Sequence, residues 1–174
     1  MRRLVLLAAA PGWLVLALAA AGTPQEPWIR IAQPDAFYEA WLPFAPEQAE
    51  RTNLTPVGRT RSRGHRLDRE GDGCEIWVNE LPAALRWLGG EGWAYDGARK
   101  SLLAEARARE ISFREWRRSG VEGRALEWEN PRATGRAEFY AQPGILYLFT
   151  CYARRDASRE LVDGFFERLI LKAP

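Results

Sequence analysis

Chemistry-bearing residues are scarce in this sequence. It has one histidine, His65, two cysteines, Cys74 and Cys151, and a single methionine. A His/Cys metal site needs three or four such ligands, so the count argues against one. Any triad or Cys–His pair would have to use His65, whose strand neighbours Gly64 and Arg66 suggest an exposed polar site. No G-x-S-x-G surrounds a serine, and neither a P-loop nor a dinucleotide fingerprint is present. No catalytic residue, metal ligand, cofactor or small-molecule ligand is therefore predicted. Lysine is almost missing, with 2 against 23 arginines. Alongside abundant alanine, glycine and proline, this reads as the codon bias of a GC-rich bacterial genome. An excess of one charge is also lacking. There are 25 basic and 23 acidic residues, and the formal charge of +2 is accounted for by Arg2 and Arg3. That balance gives little support to a nucleic-acid partner.

What is present begins with an N-terminal run. Two arginines precede an apolar stretch from Leu4 to Ala21, closed by Ala19-Ala20-Ala21 and followed by the polar Gly22–Pro27. This is the layout of a secretory signal peptide over residues 1–21, giving an exported, periplasmic or secreted chain from Gly22. The rival reading is an uncleaved anchor, at the short end of what spans a bilayer and weakened by Pro11 and Gly12. Export makes Cys74 and Cys151 a candidate disulfide. In the chain-entropy model, closing so long a loop stabilises by roughly 4 kcal/mol. Two buried free thiols are the alternative.

The remaining length fits one domain able to bury a core, expected over residues 28–174 after a short linker at 22–27. Trp28–Ile31 and Phe37–Leu42 read as strands, and Pro43–Thr52 as loop. Leu54–Leu67 is a long polar strand joined through the turn Asp68–Gly73 to Cys74–Leu81, with Cys74, Ile76 and Val78 on one face. The odd stretch Pro82–Asp96 holds a short helical turn at Ala83–Leu88. Asp96 is placed to cap a helix over Gly97–Arg109, striped by Ala98, Leu102 and Ala106. Strands follow from Glu110, over Arg124–Glu129 and over Gly135–Ala141. Ile145–Ala153 is apolar on both faces, so it belongs in the middle of a sheet covered on both sides. Asp156 is placed to cap a last helix with Leu161, Val162, Phe165, Phe166 and Leu169 as its buried stripe. The expected class is α+β, an antiparallel sheet flanked by helices.

Several short segments then line up with a known pattern. Phe37–Pro43 (FYEAWLP), the stretch around Gly58, Asn79–Pro82 (NELP), Gly135–Leu148 (GRAEFYAQPGILYL) and the closing Phe165–Leu169 resemble motifs of the PsbP/Mog1/DcrB-like superfamily. The resemblance implies an α-β-α sandwich. It also implies a role as a binding or assembly factor rather than an enzyme, with no shared catalytic residue to carry over. Members include photosystem accessory subunits, a nuclear-transport GTPase cofactor and bacterial envelope lipoproteins. The sequence departs in lacking the lipid-attachment cysteine and in its Trp87–Tyr95 insertion. Membrane association would thus come only through an uncleaved leader.

Two residue sets are candidate surfaces. Trp87, Leu88, Trp93 and Tyr95 flank glycine-rich sequence and resemble a protein-partner patch; folding back to cap a sheet edge is the alternative. Arg59, Arg61 and Arg63 share a strand face and are candidates for binding an anion or anionic polymer. Cross-strand pairing with the equally numerous glutamates is the alternative. The turn Asp68–Gly73 offers three carboxylates but lacks the later ligands of a Ca²⁺ loop. The first functional expectation is an exported non-catalytic binding or accessory protein of the bacterial envelope. The alternatives are a small exported hydrolase or ligand-binding enzyme, and an anionic-polymer binder.

Overall fold

A computed structural model of the chain describes residues 28–32, 37–55, 58–82 and 90–172. The leader, the 22–27 linker, the Ala83–Leu88 turn, Trp87 and Leu88 lie outside the described residues. The strands are β1 (Ile29–Ala32), β2 (Tyr38–Leu42), β3 (Glu47–Thr55), β4 (Gly58–Arg69), β5 (Asp72–Glu80), β6 (Arg109–Arg118), β7 (Val121–Glu129), β8 (Ala133–Gln142), β9 (Ile145–Arg154) and β10 (Ile170–Leu171). Helix α1 (Gly90–Glu105) lies between β5 and β6, and α2 (Glu160–Glu167) between β9 and β10.

Seven strands form one antiparallel sheet in the order β3-β4-β5-β9-β8-β7-β6, and β1-β2-β10 form a second. The doubly apolar strand β9 sits in the centre of the large sheet. Tyr147, Phe149 and Cys151 point to one core with α2 and the small sheet, where Tyr38 meets Phe149 edge-on at 5.1 Å between ring centroids. Leu146 and Leu148 point to a second core with Trp128, Phe139 and α1. The result is an α-β-α sandwich whose α2 layer also carries the small sheet. The turns at Glu70-Gly71 (φ 54° and 90°) and Ser119-Gly120 (φ 49° and 82°) place both central residues in the left-handed region. That geometry matches the strand twist of a two-residue hairpin.

Several local expectations are corrected. Much of the Pro43–Thr52 stretch expected to be loop belongs to β3, an edge strand with little apolar signal, held by β4 in the register Glu47↔Arg66 to Thr55↔Gly58. Helix α1 starts at Gly90 rather than Gly97, so Asp96 lies inside it and pairs with Arg99 one turn on. The Ala98–Leu102 stripe extends back through the buried Ala94 and Tyr95, and this tertiary burial outweighs the weak propensity of the glycines. Asp156 does not cap α2; the Ser158 hydroxyl accepts from the Glu160 N–H at 3.1 Å. Beyond α2, β10 was not anticipated: two residues suffice because β2 supplies their partners. In β6, Ile111 is the extra residue of a bulge, which leaves it exposed while Phe113 still faces the α1 core.

The α2 side also contains a buried charge network. Glu138 is fully buried, and its carboxylate accepts from Arg118 Nε (2.7 Å) and Nη2 (2.9 Å), from Arg136 Nη2 (2.6 Å) and from the Tyr140 hydroxyl. Arg118 Nη1 also donates to the carbonyls of Phe166 (2.6 Å) and Leu169 (3.3 Å), closing the C-terminal end of α2. Burial, then the Glu138 charge, pushes the Tyr140 pKa far up, so its hydroxyl remains a donor.

Candidate functional site: a groove beside the first helix

Helix α1 lies over the β7–β8 part of the sheet. Asn130 Nδ2 donates to the Ala106 carbonyl at 2.9 Å, and the Ala141 N–H donates to the Tyr95 hydroxyl at 3.1 Å. Placed there, α1 leaves a groove of about 580 Å³ beside it, above β4, β5 and β9. That volume lies in the range of small-molecule sites. Ala94, Ala98 and Leu102 form its helix wall, and Trp128, Leu146 and Leu148 its floor.

The floor is shaped by glycines. Trp128 is paired in register with Gly135, and a methyl group there would run into the indole. Trp77 lies in the same way over its register partner Gly64. Each missing side chain lets a large ring lie along the sheet. The Arg51 guanidinium stacks 4.2 Å above Trp77, and its Nη1 reaches Glu105 of α1 at 3.4 Å.

Many of the polar groups in the groove pair with one another. Ser62 Oγ donates to Asn79 Oδ1 at 2.7 Å, and Asn79 Nδ2 to the Leu146 carbonyl at 3.0 Å. Glu75 accepts from Trp77 Nε1 at 2.7 Å and faces Arg66 Nε at 3.1 Å. Burial, then the charges of Asp68 and Glu75, raises the pKa of Tyr152, which lines the groove as a neutral phenol. Two residues of the lining each carry a buried donor that finds no acceptor, Arg51 Nε and Trp128 Nε1.

This arrangement holds no Ser–His pair. Ser62 and His65 are three residues apart in one strand, so they point to opposite faces. Burial also lowers the His65 pKa. Among the described residues, no three His, Cys, Asp or Glu side chains are grouped to hold a metal ion.

The residues singled out in the sequence are scattered over the molecule. Cys74 and Cys151 are register partners on β5 and β9, joined by a disulfide with Cα atoms 4.0 Å apart, buried on the α2 side and away from the groove. Trp93 is 51% exposed and lines the groove. Tyr95 does not share that surface, because it is buried beneath α1 with its hydroxyl bonded to β8. Arg61 pairs with Glu50 and Arg63 with Glu80; the side chain of Arg59 is outside the described residues. Glutamates 110, 115, 122, 127 and 129 pair with arginines 99, 124, 117, 114 and 109 in turn. Asp72 accepts from the Arg154 backbone N–H at 2.6 Å, so its turn is tied into the sheet. Arg51, Ser62, Asn79 and Trp128 were not anticipated as groove residues. The available signal was the pairing of glycine with tryptophan across neighbouring strands, which becomes readable only once the register is known.

No family model matches the chain, and no curated protein matches it. A solved structure does: the solution structure of cyanobacterial PsbP (CyanoP) from Synechocystis sp. PCC 6803 is similar over 91% of this chain and 99% of that one, with a TM-score of 0.55. The fold is PsbP-like. Identity between the two is 16%, so the likeness carries the backbone and assigns no role to a residue. Within the PsbP-like fold, FYEAWLP contributes β2, and the segment Phe165–Leu169 closes α2 over the core.

Proposed function

We propose that the chain is an exported, non-catalytic binding or accessory protein of a bacterial cell envelope. Residues 1–21 act as its signal peptide, and one domain follows. The PsbP-like fold supports an accessory role by analogy. The buried Cys74–Cys151 bond supports an oxidising compartment. Among the described residues, no helix is long and apolar enough to cross a membrane. The proposed partner surface is centred on Trp93, an exposed aromatic at the groove.

One observation favours binding over catalysis. Of the serines lining the groove, Ser62 has its hydroxyl bonded to an amide and Ser101 lies exposed on α1, while the sequence's single imidazole points to the face opposite Ser62. Fractionation of the native host with non-reducing intact-mass measurement tests the export reading. The expected product lies outside the cytoplasm, begins at Gly22 and lacks both thiol hydrogens; a full-length cytoplasmic chain with free thiols would overturn it. A panel of ester and amide substrates tests the rest. Turnover above that of a protein-free blank would contradict the non-catalytic reading, and none is expected from the parent or from Ser62→Ala.

A further inference from the structure

The groove points to a ligand class that nothing in the sequence pattern announces. Its helix wall and its floor are apolar, Ala98 and Leu102 from α1 facing Leu146 and Leu148 from β9. Among the described residues, the buried side-chain atoms of its lining that lack a partner are donors. Trp128 is 3% exposed, and its indole N–H, like Arg51 Nε, has no acceptor. Both atoms are covered by protein, so a ligand oxygen meets them through a shift of the side chain, and in doing so relieves a buried donor that is otherwise destabilising. A third donor lies at the same end as Trp128. Arg132 follows it in the β7–β8 turn, lines the groove, and has no carboxylate partner among the described residues. Asn130 fixes that turn by accepting from the N–H groups of Arg132 (2.8 Å) and Ala133 (2.7 Å). The acids lining the groove are paired within it, Glu75 with Arg66 and Glu105 with Arg51.

We propose that this groove binds a small amphipathic carboxylate, with its head group at the Trp128–Arg132 end and its apolar body between α1 and β9. A hydrogen-bonding anion answers both the orphaned indole and the unpaired guanidinium. A hydrocarbon chain covers the alanine–leucine wall and the leucine floor. The export and partner readings do not depend on this assignment and would survive its failure.

The test uses the folded chain with decanoate below its micelle concentration, followed by tryptophan fluorescence and calorimetry. Decylammonium and decan-1-ol, which share the tail, serve as comparators. Two variants at exposed positions probe the two halves of the site: Arg132→Ala for the head group, and Ser101→Trp, which extends into the groove from α1. Circular dichroism confirms that each is folded. Saturable decanoate binding is expected, with decylammonium failing to bind. Arg132→Ala should weaken decanoate by roughly tenfold without affecting decan-1-ol, and Ser101→Trp should abolish both. Absence of saturable decanoate binding, or equal binding of all three probes that persists in Ser101→Trp, would overturn the proposal.

Discussion

Glu138→Ala is expected to destabilise the protein by about 3–5 kcal/mol, the range found when one partner of a buried ion pair is removed. The carboxylate is fully buried and accepts hydrogen bonds from Arg118, Arg136 and the Tyr140 hydroxyl. Alanine leaves those donors facing each other in a space solvent barely reaches. For a domain of this size each kcal/mol moves the melting temperature by roughly 2–4 °C, so a thermal melt reads the change easily. A double variant, Glu138→Leu with Arg118→Met, should recover part of the loss, since matched apolar groups replace a buried pair at little net cost. Recovery should remain incomplete, because Arg118 also donates to the carbonyls of Phe166 and Leu169 at the end of α2. If Glu138→Ala melts within a degree or two of the parent, the network does not tie β6, β8 and α2 together.

The second large effect concerns the disulfide. Replacing Cys74 and Cys151 together by alanine should lower stability by roughly 4 kcal/mol in the chain-entropy model, because the bond closes a loop of 77 residues in the unfolded chain. Both cysteines are fully buried, under α2 and the small sheet. A thiol reductant should therefore act at the rate of global opening rather than by direct attack. Under native conditions the bond is expected to survive; in denaturant near the unfolding midpoint it should reduce readily. Rapid reduction of the native protein would show that the strand pair β5–β9 opens locally, contrary to its position at the centre of the sheet.

These two features differ in how far the sequence revealed them. The cysteine pair was legible once the leader implied export, although free thiols fitted the sequence too. The central position of β9 was legible as well, since ILYLFTCYA is apolar on both faces and only a twice-covered strand needs that. Glu138 gave no comparable signal: in RAEFY it reads as one more charge of an alternating strand, and only the register brings Arg118 across to it. Helix α1 was half legible. Its Ala98–Leu102 stripe was visible, but its start was not, because glycines obscure a turn that the burial of Ala94 and Tyr95 stabilises. The groove was the least legible, since it arises from where α1 leans and from tryptophans lying over glycines on adjacent strands. For the same reason Tyr95, grouped in the sequence with Trp93, turns out to face the core.

The central proposal is an exported binding protein whose partner meets the Trp93 side. Its most direct test is a photo-crosslinking residue placed at Trp93 in the native host, with a control at Arg159, exposed at the start of α2 in the opposite layer. A discrete adduct in the envelope fraction is expected from position 93 and none from position 159. The same adducts from both positions, or none from either, would contradict it.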